Sequence, residues 1–298
     1  MKKFRQVLAV AGYNFRMWRK NPRIFLTFAL TFIMCFLLTD KTVTFAAAHN
    51  TTMQLVEAFI WCFGDSGSIL LISTLLVLLF ADMPFLSPET PFFLIRTDRK
   101  TWITGQVVYI FSSVLLYLMF VLVSTVLLSA RHSFSANMWS PTAAILGYTD
   151  AGKRIAVPAL LKTLEMSYPY PCMLSIFALV LGYAGVLTML MLVCTLRWGT
   201  AAGAVGALLF SLYGILLSPQ LVGQMLNLSG GTMYIANVLL GWISPLNHAS
   251  YSMHNFGYDM LPRLWHSYLI FGVLILLLYW AAIRAAKRYQ FTFTGTEG

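Results

Sequence analysis

A chain of 298 residues with 59% hydrophobic residues, 10% charged residues and a mean hydropathy of +0.75 is too apolar for a soluble domain of this length. Its net charge of +10 arises from 20 Lys and Arg against 10 Asp and Glu, spaced between long apolar runs, so nucleic acid is not needed to explain the excess. The expected class is an all-α polytopic membrane protein, a single transmembrane domain over residues 1–298.

Residues 1–20 precede the first apolar run and carry their own period. Phe4, Val7, Leu8, Ala11, Phe15 and Trp18 recur at three- and four-residue steps, with Arg5, Arg16 and Arg19 opposite. That pattern predicts an amphipathic helix lying on the cytoplasmic leaflet. Asn21 and Pro22 then supply a cap and a first-turn proline for a new helix. A signal peptide is the competing reading, but the basic region before the apolar core is far longer than such peptides use.

Taking about 20 residues per crossing, six spans are expected: 24–39, 61–81, 107–129, 173–196, 200–217 and 265–282. The second is interrupted near its outer end by Gly64, Asp65, Ser66 and Gly67. An acid is costly against lipid, so Asp65 should sit at the water boundary or line a pathway. The segment 82–105 follows, broken by Pro84, Pro88 and Pro91, with Ser87 or Thr90 able to cap a short surface helix. Phe92, Phe93, Ile95 and Trp102 are interleaved there with Arg96, Asp98, Arg99 and Lys100, leaving aromatic side chains for a partner.

Residues 130–171 are too polar to span and read as an external loop. Within them Gly147 to Lys153 imitates a phosphate-binding loop, but Arg154 follows where Ser or Thr should hold magnesium, and no buried strand leads in. Spans four and five are joined by little more than Arg197 and Trp198. Gly199, Gly203 and Ala207 then place one small residue every four, a spacing for close helix packing. Residues 218–263 are again external, with short helices expected around 233–243, broken at Gly241 and at 244–247. His248, His254 and Asp259 cluster there, yet a spacing of six does not align two histidines on one helical face, so a solvated loop is the favoured reading.

With six spans, the basic residues of 1–23, 96–100, 197 and 284–288 share one face, so both termini and the 82–105 loop should be cytoplasmic. Cys35 and Cys194 lie in apolar runs; Cys62 and Cys172 both fall near the outer face, where a bridge is conceivable but not required.

The whole arrangement resembles the membrane-spanning permease subunit of an ATP-binding-cassette (ABC) transporter of the type-2 exporter class. The resemblance rests on a basic amphipathic N-terminal helix, a structured loop between spans two and three, a minimal turn between four and five, and short helices before span six. The stretch PFFLIRTDRKTWITGQ, 91–106, looks like the coupling helix on which such permeases dock their ATPase. The resemblance implies ATPase contacts at Phe92, Phe93, Arg96, Arg99 and Lys100, a second permease copy or homologue, surrounding lipid, and a location in the plasma membrane of a bacterium. It also implies no catalysis and no cofactor on this chain, with ATP and magnesium held by the partner. A secondary transporter or other polytopic membrane protein without an ATPase partner is the alternative, and a secondary transporter would call for intramembrane ionisable groups or broken helices.

Overall fold

The computed structural model describes residues 2–84, 97–228 and 230–289. Helix α1 (Lys2–Met17) runs through a 3-10 turn into α2 (Pro22–Ala48), where the Asn21 side chain accepts from the Arg23 N–H and Pro22 opens the helix as expected. After a two-residue strand β1 (Met53–Gln54) come α3 (Glu57–Cys62) and α4 (Ser66–Leu79), then α5 (Arg99–Ser129) and a second short strand β2 (Ser133–Phe134), which pairs parallel with β1. Three short helices, α6 (Pro141–Tyr148), α7 (Ala151–Arg154) and α8 (Leu161–Met166), lead to α9 (Pro169–Trp198) and α10 (Thr200–Leu216). Three more, α11 (Pro219–Met225), α12 (Met233–Ile243) and α13 (Pro245–Ala249), precede α14 (Leu264–Arg288).

Among the described residues, α2, α5, α9 and α14 are long and apolar enough to cross a membrane, and α10 with α11 makes a fifth candidate bent by 74°. The chain is therefore a multi-pass helical membrane protein. Two of the expected spans take a different form. The 61–81 segment is two helices parted at residues 63–65, because Asp65 adopts extended backbone and caps the second with bonds from the Gly67 and Ser68 N–H groups. At about 1.5 Å per residue, the 14-residue α4 is shorter than a bilayer core of about 30 Å. The 200–217 segment ends at Leu216 and turns sharply into α11 at Ser218 and Pro219.

Helix α9 sits at the centre, packed by α14, α10 and α5. A Cβ at Gly182 would come within 2.8 Å of the Phe271 ring, so glycine there lets α14 approach. The buried face of α2 is a row of threonines, Thr27, Thr31, Thr39 and Thr42, while Phe25, Phe32 and Phe36 face outward. Three of the hydroxyls return to helix carbonyls, Thr27 to Arg23, Thr31 to Thr27 and Thr42 to Thr39, while that of Thr39 meets Cys62 Sγ. Tyr117, fully buried on α5, receives a bond from Thr31 Oγ1 at 3.1 Å and donates to the Ile72 carbonyl at 3.0 Å, tying α2, α4 and α5 at one point. Replacing Tyr117 with Phe should leave the topology intact and destabilise the chain by about 1 kcal/mol, read as a lower detergent melting temperature.

Candidate functional site

The basic corner of the bundle is built where α1, α2, α4, α5 and α14 have their ends. Gly105 on α5 makes the closest approach: a Cβ there would lie 2.6 Å from Val10 Cβ. Beside it Asn14 Nδ2 donates to Gln106 Oε1 at 2.7 Å in a buried pair, and Trp18 Nε1 donates to Tyr109 Oη at 2.8 Å. The N-terminal helix thus has a protein face at Val10, Ala11 and Asn14, while Phe4 and Leu8 remain exposed for lipid. Its expected apolar stripe is divided between the two environments.

Asp82, at the end of the α4 segment, accepts from Nη1 and Nη2 of Arg23 and from the side-chain amide of Asn21, fastening α4 to the start of α2. On the other flank, Asp98 caps α5 by accepting from the Thr101 N–H at 3.2 Å. A hydrogen bond from the Thr101 side chain, then the same residue's N–H and nearby Lys3, hold the exposed Asp98 carboxyl below its ordinary range. Helix α5 therefore begins at Arg99, so Arg99, Lys100 and Trp102 belong to its first turn and not to a separate surface helix. Trp102 is 2% exposed, which removes it from any docking surface. Arg99 Nη1 donates to the carbonyls of Ala286 at 2.9 Å, Lys287 at 2.7 Å and Tyr289 at 3.3 Å, placing a cation on the negative end of α14. Lys100 is exposed. Phe92, Phe93 and Arg96, with the caps expected at Ser87 or Thr90, lie outside the described residues.

The small-residue row of α10 faces α9 of the same chain. A Cβ at Gly203 would lie 2.0 Å from Thr195 Oγ1, and Ala207 is fully buried. Gly199 stands apart from that contact, with nothing near its would-be Cβ. Its φ of +98° makes the turn between the helices.

At the opposite end of the bundle, Asp65 is exposed as the α4 cap and lines a cavity of about 620 Å³ with Lys41, Trp61 and Pro158. The buried acid is instead Glu57. Its carboxylate accepts from Ser140 N at 2.8 Å and Ser140 Oγ at 2.7 Å, joining α3 to the cap of α6. Burial pushes Glu57 up from 4.5 to about 7 even against these hydrogen bonds.

The two histidines of the 218–263 segment are buried, contrary to the solvated-loop expectation. His248 Nδ1 and His254 Nε2 both lie 2.7 Å from Ser267 Oγ on α14. Their other ring nitrogens face backbone carbonyls, of Trp242 at 3.0 Å and Ser250 at 2.9 Å. Burial lowers both, His254 to about 4. Asp259 pairs with Lys162, and no metal-ligating group of three forms among the described residues. The spacing of six is bridged by a hydroxyl from another helix. Gly241 lies inside α12, and the break falls at Ser244 and Pro245. Residues 147–153 close α6 and open α7, with no strand leading in. All four cysteines are buried and unpaired, with Cys62 against Thr39.

Two outcomes test this geometry. A folded carboxyl raised above its unfolded value favours the folded state at low pH, so Glu57 should withdraw about 3 kcal/mol as pH rises from 4.5 to 7. Glu57→Gln should flatten the melting profile across that window. Arg99→Ala should speed amide hydrogen exchange in the last turn of α14 several-fold, leaving α9 unchanged. Comparison with known protein families, curated proteins and solved structures finds no match for this chain.

Proposed function

We propose that this chain is the permease subunit of an ABC exporter of the type-2 class. In this reading six spans leave both termini cytoplasmic, two permease copies enclose the substrate pathway, and a separate ATPase that binds ATP and magnesium drives it. The observation that carries the reading is the basic corner. The chain on one side of the segment between Pro84 and Thr97 is joined to α2 by the Arg23–Asp82 pair, and on the other side α5 is joined to α14 through Arg99 and to α1 through Gln106. A force applied there reaches four helices through short polar contacts, which is what a membrane subunit without its own energy source requires. The bend after α10, the one-residue turn before it and the docked N-terminal helix support the same reading.

The secondary-transporter reading draws on the two broken apolar segments, 57–79 and 200–225. The ATPase separates the two. Phe92→Ala with Phe93→Ala should abolish co-purification of the ATPase while membrane insertion and melting temperature stay at the parental values. Co-purification and transport at the parental level would reject the coupling role of this loop. A single cysteine at position 87, in a cysteine-free background, should resist membrane-impermeant reagent applied to intact cells.

A further inference from the structure

The last turns of α9 and α14 enclose a cavity of about 640 Å³, a volume typical of small-ligand sites. Arg197 contributes from α9; Arg284, Lys287 and Arg288 contribute from α14. No carboxylate lines it, and among the described residues none of the four cations pairs with one. Four like charges around one cavity repel each other, and a negative ligand offsets that repulsion.

The geometry adds detail to the charge. The Arg284 guanidinium carbon lies 3.5 Å from the centroid of the Trp280 ring, a cation–π contact on an aromatic face. Val193, Leu196 and Ala281 give the cavity an apolar wall. Helix C-termini ordinarily repel anions, but at α14 the last carbonyls are already occupied by Arg99. Toward the membrane interior the same outward stripe of α14 becomes apolar, with Trp280, Leu277, Leu276 and Val273 at 53%, 56%, 68% and 47% exposure. A ligand that fits both parts has an anionic head and a hydrocarbon body.

We propose that this cavity binds an anionic phospholipid of the adjoining leaflet. Its phosphate is held by Arg197, Arg284 and Arg288, and an acyl chain lies along Trp280, Leu277 and Val273. A soluble phosphate would use the cations but leave the apolar stripe unexplained, and an acidic protein surface would not reach it. The site stands independently of the permease assignment, because it needs only a membrane around α14.

The test uses the full chain in neutral detergent, titrated with phosphatidylglycerol and, separately, phosphatidylcholine, with retained lipid counted by native mass spectrometry. Parental protein should retain phosphatidylglycerol selectively. Arg284→Gln with Arg288→Gln should weaken that binding about thirtyfold, as two interfacial cations are removed. Arg16→Gln with Arg19→Gln, basic residues outside the cavity, should change it less than twofold. Equal loss in both variants would show a diffuse surface charge effect and overturn the site. Competition by glycerol 3-phosphate at millimolar concentration would overturn the lipid and assign a soluble phosphate. A parental melting temperature for the Arg284 and Arg288 variant in phosphatidylcholine micelles confirms that lost binding is not lost folding.

Discussion

Inside hydrocarbon a hydroxyl can bond only to another protein atom, and this constraint shapes the bundle. Burying apolar surface cannot discriminate one helix face from another when lipid tails are equally apolar. The discriminating groups are therefore the polar ones, drawn inward. Helix α2 shows the result, with threonines at 27, 31, 39 and 42 inside and phenylalanines at 25, 32 and 36 outside. Tyr109, Tyr117 and Tyr183 do the same across helices, each fully buried and each hydrogen-bonded to a neighbouring element. Such bonds fix register as well as proximity, since sliding a helix by one turn would strand both partners.

The two ends of the bundle solve different problems. At the basic end, charges are plentiful, and the structural bonds include an ion pair and a charge-to-carbonyl contact: Arg23 with Asp82, Arg99 with the end of α14. At the opposite end, short helices form a roof, and several of its bonds are buried. Glu57 holds α6 through Ser140, and Ser267 gathers two histidines from the segment before α14. The roof is consequently the part that holds ionisable groups in low dielectric, while the basic end keeps its charges in water or near headgroups.

Apolar length and the distribution of Lys and Arg made the membrane class and most helix positions legible in the sequence, and Asn21–Pro22 announced the second helix to the residue. The start of α5 was also written there, in the Asp98 cap, but the amphipathic run from Pro91 to Trp102 has the same period whether it is a surface helix or the first turn of a span. Burial of Trp102 comes from tertiary packing, which no local pattern reveals. The threonine row of α2 escaped because a window average treats four threonines among many apolar residues as noise. His248 and His254 were judged by their mutual spacing, whereas their meeting point, Ser267, lies on another helix. Nothing local in the sequence marks Glu57 as buried, because its partner, Ser140, lies 83 residues away.

Helices α9 and α10 are joined by Gly199 alone, a link with no slack. A residue spans at most about 3.5 Å, so neither helix can travel further than that along the bundle axis without dragging the other. The pair behaves as one stiff lever, and because α9 touches α5 and α14, displacement of α10 is displacement of the centre of the molecule. Sliding of a single peripheral helix is thereby forbidden on this side; motion here must be rotation of the whole hairpin.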